Sequence, residues 1–329
     1  MKGTINNLLN ENMNEKSIVY EVIKRYTKKD ILNIVRSGAG NINDTFFVSA
    51  DSGKYVLQRL QKKMDTAKLE YNFSLYSGIC EKEKLLYPKW IKTEDGSFFA
   101  SDSTGNNWRM YPYIEGDILN APLSEEQCYA CGEGLGRIHA ALRNMSEAPR
   151  PVYPHLHDPE YYFEQYEKAL SEEGTCAENR DPEIEESIRR KMKEYSSLEA
   201  DDIAVIHGDA KASNILFRDG SVCGFLDWDT VMTGSVCEEV ADCIRSACIT
   251  DGVMNTATAN ALIEGYRAGA RADESITGRI PRAFDKICFE LGLRYYTDAI
   301  SNNKHFKEKY PGYRLKRAKE LFCSRWPES

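Results

Sequence analysis

The chain has 329 residues, 42% hydrophobic and 29% charged, with a formal net charge of −8. That is the balance of a soluble globular protein long enough for two lobes around a cleft. The acidic excess speaks against a nucleic-acid partner, since phosphate backbones attract basic surfaces, and no apolar run approaches the ~20 residues of a membrane span.

The opening residues, rich in Asn and Glu, lack the apolar core of a signal peptide. A cytoplasmic monomer is the expectation. Ten cysteines are scattered through apolar patterns and read as reduced core residues. Cys128 and Cys131 form a CxxC inside a helix-like run with no second pair, too weak a motif for zinc or redox chemistry.

In chain order, Ser17–Tyr26 has helical periodicity, with Ile18, Val22 and Ile23 on one face. Strand-like runs follow at Ile31–Val35, Thr45–Ser49 and Tyr55–Leu60, punctuated by Gly38, Gly40 and Asp51-Ser52-Gly53. A helix from Asp65 to Glu81 precedes two further strands, Gly96–Ala100 and Trp108–Ile114. From there the chain turns helical. Ser124 is placed to cap a helix through Leu142, and Pro159–Leu170 and Pro182–Tyr195 also read as helices, the second charged and exposed. The acidic stretch Glu172–Glu186 reads as a mobile, solvated insertion. Helices are expected at Val236–Ala247, at Asn255–Ala268, from Pro281, and at Tyr313–Cys323.

The most informative stretch is His207-Gly208-Asp209-Ala210-Lys211, then Asn214, then Asp227-Trp228-Asp229. Acid, lysine, amide and acid stand at the spacing that ATP-dependent phosphoryl transfer uses, where a protein positions groups and neutralises phosphate charge. Asp209 would orient the acceptor hydroxyl and receive its proton late, because a carboxylate of pKa about 3.9 cannot strip it early. Lys211 would stabilise charge on the transferring phosphoryl group. Asn214 and Asp227 would hold Mg²⁺. Ile215–Phe217 and Val222–Leu226 read as short buried strands joined by Asp219-Gly220, a strong hairpin signal that swings Asp227 back beside Asn214. Asp229 is open between a second metal position, an acceptor contact and a turn cap. His207 reads as a buttress of the loop rather than a reacting group, and His139 as a packed core histidine. Asp242 and Arg245, three apart on a helix, read as a local ion pair.

These residues resemble the aminoglycoside-phosphotransferase superfamily, which shares the protein-kinase-like fold. Three blocks look most like its N-acetylhexosamine 1-kinase branch. They are Asn41–Phe46 with Tyr55–Arg59, Asp227–Met232 with Gly234-Ser235, and Leu293–Asp298 with His305-Phe306 and Tyr310–Tyr313. The resemblance implies an α+β, two-lobed fold. Residues 1–113 would form a nucleotide-covering lobe with a five-stranded antiparallel sheet, and residues 114–329 a largely helical lobe with the catalytic loop and acceptor site.

The resemblance also implies ATP and Mg²⁺ as cofactors and a small hydroxyl compound as acceptor. First is the anomeric hydroxyl of an N-acetylhexosamine, giving a sugar 1-phosphate. The alternatives are an aminoglycoside or a choline- or homoserine-type alcohol, and a nucleotide-binding pseudokinase stands as the rival of another class. Tyr113 would lie in the hinge beside the adenine. Gly38 and Gly40 sit where a glycine turn approaches phosphates, although the pattern is broken at Asn43 and an ordinary turn stays open. Gln58 stands where kinase-like strands carry a phosphate-binding lysine. Its neighbour Arg59 would project from the opposite strand face, inward or to solvent, and Glu70 would pair with whichever cation serves. Arg294 is expected to read the sugar. His305 falls where the family tends to carry tyrosine, which leaves the acceptor's identity open.

Overall fold

The computed structural model describes residues 13–37, 43–172, 176–195, 202–250, 252–272, 274–301 and 305–327. The chain forms two compact units. One comprises the chain up to Ser77 together with Tyr87–Glu115; the other comprises Gly78–Leu86 and the chain from Gly116 onward.

The first unit opens with α1 (Met13–Tyr26) and continues through β1 (Ile31–Arg36), β2 (Asp44–Ala50) and β3 (Gly53–Arg59). Then come α2 (Thr66–Lys82), β4 (Ala100–Ser101) and β5 (Asn107–Pro112). Among the described residues these strands make one five-stranded antiparallel sheet in the order β1-β2-β3-β5-β4. Helical spacing sets Val19, Val22, Ile23 and Tyr26 of α1 in one core with Phe46, Val48, Leu57, Trp108 and Met110 of the strands. Burying each such side chain contributes roughly 1.5–3 kcal/mol. The Tyr26 hydroxyl ties this core to two strands, donating to the Trp108 carbonyl at 2.6 Å and accepting the Ala100 N–H at 3.0 Å.

The strand expected at Gly96–Ala100 shrinks to Ala100–Ser101. Thr93, Asp95 and Ser97 satisfy one another instead: the Thr93 hydroxyl donates to Asp95, and Asp95 accepts the Ser97 N–H. Side chains that bond their own backbone compete with ladder formation.

In the second unit, Ser124 caps α3 (Glu125–Leu142) through a reciprocal pair with Gln127. Then follow α4 (Pro159–Ser171), capped by Asp158, α5 (Pro182–Tyr195) and β6 (Ile203–Ile206). The hairpin β7 (Ile215–Arg218) and β8 (Ser221–Phe225) leads to β9 (Met232–Ser235) and α6 (Val236–Ala247). Then come β10 (Ile249–Thr250), β11 (Val253–Met254), α7 (Thr256–Ala270), α8 (Glu274–Thr277), α9 (Ile280–Ile300) and α10 (Tyr313–Cys323). Glycine permits the close crossing of α3 and α7, because a Cβ on Gly132 would lie 1.9 Å from the Leu262 carbonyl oxygen.

Two expectations are corrected here. The acidic stretch is anchored from Cys176 onward: the Cys176 N–H donates to Ile300, the Asn179 amide to Ala299, and the Asp181 N–H to the Tyr296 hydroxyl. Nor is α5 simply exposed. Ile188, Met192 and Tyr195 pack with Phe289, Leu293 and Tyr296 of α9, and buried Glu185 is forked by Arg180 at 2.8 Å on both oxygens. A high charge content masked one apolar stripe.

Cys128 does have a thiol neighbour that sequence spacing hides. Its Sγ lies 3.7 Å from that of Cys248 at the end of α6, and both are buried. Among the described residues no helix is long and apolar enough to cross a membrane, and no group of three or more His, Cys, Asp or Glu could hold a metal.

Candidate active site

In the second unit, β6 pairs antiparallel with β9, so the loop after Ile206 and the turn before Met232 are held on one short ladder. Gly208 bridges them with φ +86°; a Cβ there would meet the Thr230 carbonyl oxygen at 2.2 Å. Thr230 in turn donates its hydroxyl to the His207 carbonyl at 3.0 Å. From below, Glu239 of α6 accepts the backbone N–H of His207 at 3.0 Å and that of Gly208. Glu239 also accepts from His139 Nε2 at 2.5 Å, and His139 Nδ1 lies 3.0 Å from the Tyr266 hydroxyl. Burial pushes the Glu239 carboxyl up, but the His139 hydrogen bond, His207 and the Gly208 N–H outweigh it and hold the group below its ordinary value. Burial lowers the His207 pKa, which keeps that ring neutral; its Nδ1 accepts the Asp209 N–H at 3.3 Å. His207 therefore supports the loop backbone.

The loop presents Asp209 with its two oxygens in different states. Oδ2 is gripped by Lys211 Nζ at 2.5 Å and by Asn214 Nδ2 at 3.0 Å. Oδ1 accepts no hydrogen bond among the described residues. Burial alone would lower the Lys211 pKa, but Asp209, with Asp227 and Asp242 farther off, raises it, so the ammonium stays charged. Asn214 is buried and also donates to the Asp209 carbonyl at 2.9 Å, which leaves its own Oδ1 as an available hard acceptor.

The hairpin brings Asp227 back to this loop. Asp219 and Gly220 take φ +51° and +76°, the pair of left-handed residues that a tight hairpin turn needs. The Leu226 N–H then donates to the Asn214 carbonyl at 2.8 Å. Asp227 itself is held at φ +60°, a conformation that is rare for a non-glycine residue and persists where the surroundings over-determine it. Asp229 is buried in the turn Trp228–Thr230, beside Trp228, whose ring lies 4.7 Å from His207.

Beside the loop stands a polar chain of which sequence reasoning singled out only Arg294. His157, in the left-handed region just before α4, sets Nε2 3.3 Å from the Gly208 carbonyl oxygen. Its Nδ1 lies 3.6 Å from Glu290 Oε1, and Glu290 Oε1 lies 3.8 Å from Arg294 Nη1 one turn along α9. Burial alone depresses the imidazole, yet Glu290, Asp242 and Glu238 outweigh it and raise its pKa to about 9. The Arg294 guanidinium lies over two aromatic rings, 4.7 Å from the Tyr162 centroid and 5.5 Å from that of Phe306. His305 does not join it. Its side chain is exposed, its N–H donates to Asp298 at 2.7 Å, and the next residue, Phe306, meets the guanidinium. Asp242 and Arg245 form the expected local pair at 2.7 Å.

In the first unit, Gln58 lies opposite Arg109 on β5 and accepts two hydrogen bonds from it, at 2.9 and 2.7 Å. Arg109 is buried and lies 5.1 Å over Trp90. It places a guanidinium beside the position where a lysine was missed. Arg59 is already engaged, by Asp44 at 2.6 Å, by Glu15 at 3.3 Å and by the Trp108 ring at 5.5 Å. The expected choice between facing inward and facing solvent is thus replaced by an ion pair across β2 and α1. Glu70 is exposed and makes no ion pair among the described residues. Tyr113 is half exposed, edge-on to Phe47 at 6.0 Å. Gly38 and Gly40 lie outside the described residues.

Chemically, the second-unit loop offers a carboxylate oxygen open to a hydroxyl proton, a fixed ammonium beside it, and an amide and a carboxylate brought together by a hairpin. Those donors suit a hard cation that takes only one or two protein oxygens and completes its shell with phosphate and water.

Comparison with known proteins points the same way. A model of the phosphotransferase enzyme family matches residues 33–275. A homoserine kinase of Methylobacterium radiotolerans is 22% identical over 278 residues, covering 84% of this chain and 82% of that protein. A homoserine kinase of Pseudomonas aeruginosa is 25% identical over 69% of each chain. Among solved structures, amicoumacin kinase in complex with AMP-PNP, Ca²⁺ and Ami superimposes with a TM-score of 0.69 at 11% identity, over 94% of this chain and 93% of that one. A microcompartment-associated aminopropanol kinase gives 0.65 at 12% identity, over 93% and 95%. These structures establish the kinase-like α+β fold.

Proposed function

We propose, since the chain belongs to the phosphotransferase enzyme family, that it transfers the γ-phosphoryl group of ATP to the hydroxyl of a small amino alcohol of the homoserine type. The observation that carries the reaction is the asymmetric Asp209 carboxylate, clamped on Oδ2 and open on Oδ1. The acceptor hydroxyl donates to Oδ1, its oxygen attacks phosphorus in line as the bond to ADP breaks, and its proton passes to Asp209 late. Lys211 shifts from Asp209 toward the equatorial phosphoryl oxygens as charge develops there. Asn214 Oδ1 and Asp227 are the residues to hold Mg²⁺, which when bound screens the phosphate charge. Asp229, buried in its turn, is assigned to support Asp227. In the first unit, the Gln58–Arg109 pair is assigned to the nucleotide in place of the missing lysine.

For the acceptor, the relatives named homoserine kinase and the neighbour named aminopropanol kinase support an amino alcohol. The N-acetylhexosamine expectation rests on the three sequence blocks alone. A coupled ATP-consumption assay over L-homoserine, 3-amino-1-propanol, GlcNAc and kanamycin tests the assignment. Turnover on the first two carries it; turnover confined to the sugar or to the antibiotic overturns it. Asp209→Asn should lower kcat at least 100-fold with nucleotide affinity nearly unchanged.

A further inference from the structure

We infer that Arg294 and Glu290, one turn apart on α9, form a subsite for the α-amino-acid end of the acceptor, the guanidinium taking its carboxylate and the buried Glu290 oxygen its ammonium. This inference rests on the acceptor reading above and narrows it to a zwitterion.

Two independent observations point to a ligand. Glu290 is 2% exposed, yet its Oε2 has no hydrogen-bond partner among the described residues. A buried carboxylate oxygen left without a donor costs about 1–3 kcal/mol or more, so native proteins seldom keep one unless something fills it. Arg294 shows the complementary defect. The one carboxylate oxygen within 4 Å of it among the described residues is Glu290 Oε1 at 3.8 Å, too long for a hydrogen bond, and its guanidinium lies over the rings of Tyr162 and Phe306. The rings fix the plane of the fork and leave its N–H groups unspent, the arrangement that suits bidentate capture of a carboxylate.

The two groups are neighbours, and so are the ammonium and carboxylate on an α-carbon. His157 connects this pair to the reacting end, lying 3.6 Å from Glu290 Oε1 and 3.3 Å from the carbonyl next to Asp209. A hydroxyl carried a few bonds from the α-carbon would then address Asp209 while the zwitterion is held on α9. His157 faces Glu290 Oε1 and leaves Oε2 open, and the other acids nearby have partners of their own. Glu238 is already paired with Lys286, and Asp242 with Arg245.

The test deletes each contact from both sides. L-Homoserine, 3-amino-1-propanol (no carboxylate) and 4-hydroxybutyrate (no ammonium) are compared by kcat/KM in the wild type, in Arg294→Gln and in Glu290→Gln, with thermal unfolding recorded for each protein. Each lost charged hydrogen bond is worth roughly 10- to 100-fold. The wild type should prefer L-homoserine over both truncated compounds by that factor. Arg294→Gln should collapse the preference over 3-amino-1-propanol, and Glu290→Gln the preference over 4-hydroxybutyrate. Ratios within about threefold of wild type in both variants overturn the subsite while leaving the amino-alcohol reading standing. A wild type that turns over both amino alcohols equally also overturns the subsite, and needs no variant to fold. Turnover of GlcNAc or kanamycin, with no binding of L-homoserine by calorimetry in the presence of ADP, removes the subsite and the acceptor reading together.

Discussion

Glu239 and His139 lie 2.5 Å apart in the core of the second unit, and the same Glu239 carboxylate receives the backbone N–H groups of His207 and Gly208. One buried acid on α6 thus fixes the backbone that carries Asp209. Glu239→Ala would strand two loop N–H groups and a histidine, and breaking a buried pair from one side costs about 3–5 kcal/mol. Glu239→Gln keeps the volume and one acceptor oxygen, so it should fold. Its loop is expected to lose position, and a displacement of ~1 Å is enough for about 100-fold in rate. Urea unfolding for the first variant and kcat for the second check this; wild-type kcat in Glu239→Gln would leave Glu239 no role in placing Asp209.

Gln58 invites replacement by lysine, since kinase-like strands carry one there. The structure argues against any gain. Gln58 Oε1 accepts both hydrogen bonds from buried Arg109, and a lysine would remove that acceptor and set an ammonium against a guanidinium. Gln58→Lys is expected to destabilise the protein by roughly 2–4 kcal/mol and to weaken ATP binding. Gln58→Glu, which keeps the acceptor and adds a charge partner for Arg109, should restore stability. A rise in melting temperature for Gln58→Lys would show that Arg109 has another place to go.

The hairpin that carries Asp227 was legible because its determinants are local. Asp219-Gly220 dictates the turn, and residues 209, 211, 214 and 227 then have little freedom. Helix bounds at α5, α6 and α10 were equally readable from periodicity and caps. What lay beyond reach were partners joined only by tertiary packing. His157 meets Gly208 across 51 residues, and His139 meets Glu239 across 100. Glu239, Glu290 and Glu185 carry no mark in the sequence, since nothing in the spacing of a single sequence separates a solvated glutamate from a buried one. Arg109 was hidden similarly, as one cation on a strand whose neighbour across the ladder could not be known before the register.

His157 makes stability depend on pH in a defined window. Its folded pKa is about 9, above the ordinary 6.5, so the imidazolium stabilises the native state fully below pH 6.5. That contribution drains away as pH rises through 9. The separation of the two values corresponds to roughly 3 kcal/mol as an upper figure. His157→Gln keeps a donor toward Gly208 and removes the titration, so its unfolding free energy should fall less between pH 6.5 and 9 than that of the wild type. Denaturant titrations at the two pH values decide it, and parallel losses in both proteins would move the effect elsewhere.

Asn214 and Asp227 make the sharpest claim about metal. The Leu226–Asn214 backbone hydrogen bond holds them together, and the amide nitrogen of Asn214 is spent on Asp209, which leaves its oxygen for a cation. Replacing Asp227 by Asn should lower affinity for Mg²⁺ more than for nucleotide, so kcat at ~1 mM Mg²⁺ falls at least tenfold and recovers in part at higher concentration. Asn214→Ala has a second consequence, because it also removes one of the two donors that clamp Asp209 Oδ2. Excess Mg²⁺ should therefore rescue it less completely than Asp227→Asn. A Mg²⁺ titration of kcat separates the two variants. If Asp227→Asn is indifferent to metal, Asp227 holds the loop by its φ +60° backbone alone, and the metal assignment falls with it.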